Sequence, residues 1–134
     1  MITTTPTDFV MQPTPLTRKY MLSPDVDSIA EARHHVRQTL AAHTDQDTLS
    51  RAELVVSELV TNSVRHGPGL PITLHLYADD DGRIRGELED HGQGTVAIRE
   101  QNPEMVGGLG LVVVDQLTSD WGVHPGSTHV WFHL

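Results

Sequence analysis

One stretch of the chain changes its hydrophobic period partway along, and this limits the fold more than any other feature. Over residues 49–66 apolar side chains recur at helical spacing. At about 100° per residue, Ala52, Val55, Val56, Leu59 and Ser63 fall on one stripe. Gly67-Pro68-Gly69 then stops the helix. Directly after it, Ile72, Leu74 and Leu76 alternate with Thr73, His75 and Tyr77, the period of a half-buried strand. Asp79-Asp80-Asp81-Gly82 reads as a turn, and residues 83–90 as the return strand of a hairpin. An amphipathic helix feeding a hairpin buries its stripe most simply against the apolar face of that hairpin.

The remaining segments extend this pattern. Residues 18–22 read as a short first strand, and Ser23 or Asp25 can cap a helix over 26–42. Residues 43–47 form a turn, and 91–108 a loop rich in Gly and polar residues. A third helix follows over 109–118, then strands over 121–124 and 128–134 split by Pro125-Gly126. The order is strand, two helices, hairpin, loop, helix, hairpin. It predicts an α+β two-layer sandwich, a mostly antiparallel sheet covered on one face by three helices.

Composition narrows the function. At 134 residues the chain suits one domain. Residues 1–15, dominated by Thr and Pro, read as a flexible N-terminal tail, and 16–134 as the single domain. Asp and Glu number 18 against 9 Lys and Arg, a formal net charge of −9. That balance disfavours nucleic acid and anionic membranes as partners. A phosphate-bearing ligand must then be held by backbone amides, a metal ion or a few placed Arg residues. The absence of cysteine removes disulfides, thiolate nucleophiles and Cys-type zinc sites. No basic start precedes an apolar run, and no stretch approaches the roughly 18 apolar residues of a membrane span, so a cytoplasmic protein is expected.

Three segments carry chemistry. In the second helix Glu58, Asn62 and His66 recur every fourth residue on the flank of the apolar stripe, where a groove between helix and sheet opens. A carboxylate and an amide one turn apart supply oxygen ligands, or a base beside a hard metal ion. An ordinary solvated flank gives the same pattern. In the return strand, parity puts Ile84, Gly86, Leu88 and Asp90 on one face and Arg83, Arg85, Glu87 and Glu89 on the other. Asp90 therefore points to the apolar side, which is costly unless a donor such as a purine amino group satisfies it. Gly92 and Gly94 allow a sharp turn and close backbone approach to a flat base, though a plain Asp-Gly turn shares these features. Third, Gly107, Gly108 and Gly110 stand at the start of a helix, where free N–H groups and the positive dipole end suit phosphate. A flexible loop feeding a core helix fits equally. No Lys-Ser/Thr follows, so this is not a Walker A loop.

Together, and in this order, the three segments resemble the nucleotide-binding boxes of the GHKL superfamily of ATPases. The match is nearest to the anti-sigma-factor serine/threonine kinases of bacterial partner switching. Their first box, roughly S-E-x-x-x-N-x-x-x-H, corresponds to Ser57-Glu58-Leu59-Val60-Thr61-Asn62-Ser63-Val64-Arg65-His66. Their D-x-G-x-G box corresponds to Asp90-His91-Gly92-Gln93-Gly94, and their G-x-G-L box to Gly108-Leu109-Gly110-Leu111. The resemblance spans 18–134 and implies a Bergerat fold with ATP between helices and sheet. It implies Asn62 as the Mg²⁺ ligand, Asp90 as acceptor for the adenine amino group, and Gly92 and Gly94 lining the base. Gly108, Leu109, Gly110 and Leu111 would meet the phosphates, His66 would close the first box, and Glu58 would be the general base. It further implies a sigma factor or an anti-anti-sigma protein of the STAS type as partner, and a homodimer. Related chains often carry a basic residue near the final strand, where this one has Gly126-Ser127-Thr128-His129. The lid expected over 95–106 is short, with Arg99 its only basic residue.

Two function classes fit these residues. One is a kinase phosphorylating an anti-anti-sigma partner; the other is an ATP-gated module that sequesters a sigma factor or another regulator without catalysis. The nine histidines invite a metal reading as well. His34 and His35 splay apart on a helix. His129 and His133 share a strand face with Trp131 between them, but two His without a third ligand make a weak zinc signal.

Overall fold

The computed structural model describes residues 15–92 and 108–134. Along the chain run β1 (Leu16–Leu22), α1 (Asp27–Leu40), α2 (Gln46–His66), β2 (Ile72–Ala78), β3 (Ile84–Glu89), α3 (Gly108–Leu117), β4 (Asp120–Val123) and β5 (Val130–His133). The strands form one sheet in the order β1-β2-β3-β5-β4, with every pairing antiparallel. The α+β two-layer architecture expected from the sequence is the one observed.

Strand alternation decides which face is covered. Ile72, Leu74, Leu76 and Ala78 of β2, Ile84 and Leu88 of β3, and Val130 and Phe132 of β5 are buried on one face. Against them lie Ala32, Val36 and Leu40 of α1, Ala52, Val55, Val56, Leu59 and Val60 of α2, and Leu111 and Val114 of α3. Each fully buried aliphatic or Phe side chain contributes about 1.5–3 kcal/mol, so this interface carries the fold. Polar contacts fix the angles between helices and sheet. The rings of Tyr20 and His35 stack at 3.9 Å, and the Tyr20 and Thr39 hydroxyls hydrogen-bond, docking α1 on β1. Arg37 pairs with Glu53 at 2.6 Å across α1 and α2.

The opposite face carries side chains of another kind. Register aligns Lys19 with His75, His75 with Glu87, and Glu87 with Trp131, all pointing away from the helices. Among the described residues no helix is long and apolar enough to cross a membrane.

Two helix starts differ from expectation. α2 begins at Gln46, inside the expected turn, because the Asp45 carboxylate accepts the Thr48 N–H at 2.7 Å and caps the helix a turn earlier. At α1 the N-cap is Val26, with no side-chain cap. Asp25 still accepts the Asp27 N–H at 3.0 Å, but from one position outside the cap, and the Ser28 hydroxyl donates back to the Ser23 carbonyl. The expected tail, apart from Pro15, lies outside the described residues, as does the expected lid with Arg99.

Candidate functional site

α2 and β3 end beside each other, with Gly67 next to the Asp90 carboxylate. α2 turns Ala52, Val55, Val56, Leu59 and Ser63 to the core, all buried as the stripe requires. On its flank Glu58 and Asn62 are half-buried and His66 is exposed. The carboxylate and amide thus sit one turn apart at the rim of the core, open enough to meet a ligand.

Asp90 follows the last residue of β3 and lies 5% exposed, on the inward face that parity assigns to it. A carboxylate so placed must be hydrogen-bonded or it is strongly destabilising. Its Oδ1 accepts the Gly92 N–H at 2.9 Å and the hydroxyl of Thr128, which comes from the β4–β5 hairpin. A Cβ on Gly92 would stand 2.8 Å from the Thr128 Oγ1 and 3.0 Å from Asp90 Oδ1, so only glycine fits. The other oxygen, Oδ2, lies next to Gly67 at the end of α2, where a Cβ would come within 3.1 Å of it. Between Asp90 and Gly92, His91 adopts φ 65°. A left-handed conformation at a residue with a side chain is costly, typically about 1–3 kcal/mol, and such residues cluster at functional sites.

The third segment enters through α3. Its first turn consists of Gly108, Leu109 and Gly110, and Leu111 (3% exposed) and Val114 bury the helix against the core. The Arg51 guanidinium of α2 donates to the Leu117 carbonyl at 3.3 Å, a cation at the negative end of the α3 dipole. That contact ties α3 to the helix carrying Glu58 and Asn62. Gly94 lies outside the described residues.

The arrangement offers a buried carboxylate with one oxygen fixed, a half-buried carboxylate and amide, and a helix N-terminus. These suit, respectively, an exocyclic amino group, a hard cation and an anion. Thr128 is not among the site residues the sequence singles out. It stands 38 residues from Asp90 and two before Val130, the inward residue that opens β5, and carrying that parity back to it is the signal. A separate depression of about 590 Å³ opens at the other end of β3, lined in part by Leu16, Tyr77, Arg83, Arg85 and His133. It contains none of these residues.

A family model described as histidine kinase-like ATPase domain matches residues 22–134. The fold is similar to the crystal structure of the RsbU and RsbW domains of Rv1364c from Mycobacterium tuberculosis, with a TM-score of 0.65 and 22% sequence identity. That match covers 91% of this chain and 32% of the other, so the chain spans about a third of that protein's length. No curated protein matches the chain.

Proposed function

The chain belongs to the histidine kinase-like ATPase domain family, and from that premise we propose that it binds Mg-ATP in the groove at the ends of α2 and β3. There it acts as an anti-sigma-factor-type serine/threonine kinase on an anti-anti-sigma partner. The observation that carries the reading is Asp90. It is a buried carboxylate on the helix-covered face, held through Oδ1 by Thr128 and Gly92 while Oδ2 faces the end of α2. In this reading Asp90 accepts from the adenine amino group, and Gly92 and Gly94 line the base. Asn62 holds Mg²⁺, and His66 closes the helix end above it. Gly108, Leu109, Gly110 and Leu111 present the first turn of α3 to the phosphates.

Bound Mg²⁺ supplies charge neutralisation along the phosphates. What this chain's own residues do is position and accept a proton. Phosphoryl transfer needs little covalent chemistry from the protein. Glu58, one turn before Asn62, takes the proton from the partner's hydroxyl. The regulatory setting is supported by family membership and by the fold shared with the RsbU and RsbW domains of Rv1364c. Localisation in the cytoplasm and a homodimer complete the proposal.

The test is incubation of the chain with labelled ATP, Mg²⁺ and a candidate STAS-type partner. The kinase reading expects label on a partner serine or threonine. ATP binding without transfer to any partner selects instead an ATP-gated module that sequesters a sigma factor or another regulator.

A further inference from the structure

We propose that the open face of the sheet carries a transition-metal site, with Glu87, His124 and His129 as its ligands and Zn²⁺ as the ion it takes. The site lies on the face opposite Asp90 and does not rest on the nucleotide reading.

β3 and the turn of the β4–β5 hairpin bring the ligands together. Glu87 points outward from β3. His124 and His129 close the β4–β5 hairpin, with the His124 N–H donating to the His129 carbonyl at 2.9 Å. Ser127 braces the turn between them. Its hydroxyl donates to the His124 carbonyl at 2.9 Å and accepts the His129 N–H at 3.2 Å. The two imidazole rings are tilted at 51° to each other with centroids 4.2 Å apart. Nε2 of His129 lies 2.7 Å and Nε2 of His124 3.8 Å from the same Glu87 oxygen. One ligand atom from each residue lies within 4.8 Å of the other two. Ligands bound tetrahedrally at about 2.0–2.1 Å sit roughly 3.3 Å apart, so the cluster needs only small side-chain shifts to close on an ion.

The surroundings prepare the ligands. Glu89 Oε2 lies 3.8 Å from Nδ1 of His129, the nitrogen not facing Glu87. Closing that gap to hydrogen-bond length would let the carboxylate orient a ligating imidazole and raise its basicity.

The donor set selects the ion. Two imidazoles and one carboxylate suit Zn²⁺, with Ni²⁺ and Cu²⁺ as competitors, whereas Mg²⁺ and Ca²⁺ prefer oxygen throughout. His124 is 53% exposed, which gives the ion an entry path and leaves a fourth position for water.

The experiment is calorimetric titration of the full chain with Zn²⁺, and separately with Mg²⁺. It covers the wild type and His124→Ala, His129→Ala and Glu87→Gln. His34→Ala and His133→Ala, two exposed histidines outside the cluster, serve as controls. The proposal expects one Zn²⁺ per chain and affinity at least tenfold weaker in each of the three ligand variants. It expects unchanged affinity in both controls and no Mg²⁺ binding at this site. Absence of one-to-one Zn²⁺ binding overturns it, as does Zn²⁺ affinity that the ligand variants leave unchanged or the controls abolish. Should either alanine variant lose its circular-dichroism signature, Glu87→Gln, which keeps the side-chain shape, decides the outcome. Undiminished Zn²⁺ binding by that variant rejects the site.

Discussion

Thr128 and His129 are neighbours in the chain and serve opposite faces of the same sheet. Thr128 points inward and donates to Asp90, while His129 points outward and meets Glu87 at 2.7 Å. Each thus completes a carboxylate on or just past β3, but in very different surroundings. Asp90 lies under the helices, 5% exposed, with a short list of fixed donors. The Glu87 side chain is 20% exposed among histidines on the uncovered face. The two carboxylates therefore differ in burial, and they differ in company as well. The inner one faces glycines and a helix end, the outer one imidazoles. Strand parity alone sends one strand's chemistry in two directions.

The largest effect is expected at Glu58, on the flank of α2. Glu58→Gln keeps the side-chain shape and removes the charge. Partner phosphorylation should fall by about 10²–10⁴-fold, the usual contribution of a general base, while ATP affinity changes by less than about tenfold. Loss of ATP binding in that variant would move Glu58 from the base to the structural or metal shell. Next in size is the contrast between adjacent residues of β5. Phe132 is fully buried and His133 exposed. Chemical denaturation should show Phe132→Ala destabilised by about 3–5 kcal/mol and His133→Ala changed by no more than about 0.5 kcal/mol. Similar losses for both would mean that the outer face is also packed.

Asp90→Asn sharpens the inner half of the comparison. Its amide presents an N–H toward the adenine amino group, and ATP affinity should drop by about 1.5–3 kcal/mol. If ATP and GTP affinities both stay as in the wild type, Asp90 does not read the base. The smallest effect belongs to an aspartate away from both faces. Asp45 is fully exposed and, like Asp90, accepts a backbone N–H from just ahead in the chain. Hydrogen bonding to Thr48, first through its backbone, lowers the Asp45 carboxyl from 3.8. A carboxyl depressed on folding stabilises above its unfolded value, and that contribution disappears as pH falls through the folded one. The deficit of Asp45→Asn against wild type should therefore shrink once pH drops below 3.8, as followed by thermal denaturation. A deficit independent of pH would assign the cap's worth to shape alone.

Much of the inner site was legible because it depends on period. Helical spacing put Glu58 and Asn62 on the flank of the buried stripe, and strand parity turned Asp90 inward. What stayed hidden depends on contacts distant in sequence. Thr128 reaches Asp90 only because β5 lies next to β3 in the sheet. The histidines show the same effect. Along the sequence His129 and His133 looked like partners, but four residues of strand span roughly 13 Å. His124 stands directly across the hairpin from His129, and Glu87, opposite Trp131, lies on the diagonal within reach of a long side chain, so His129 meets His124 and Glu87 instead. Helix starts failed for a local reason. The Asp45 cap lies inside a polar stretch that reads equally as a turn, and only the Thr48 N–H distinguishes the two.

Mg-ATP binding on the inner face through Asn62 is the proposal on which the other roles depend. Its most direct test is calorimetric titration of wild type and Asn62→Ala with ATP, once with Mg²⁺ and once with a chelator. Removing a metal ligand should weaken Mg-ATP far more than metal-free ATP. Equal weakening of both, or no ATP binding by the wild type, would contradict it.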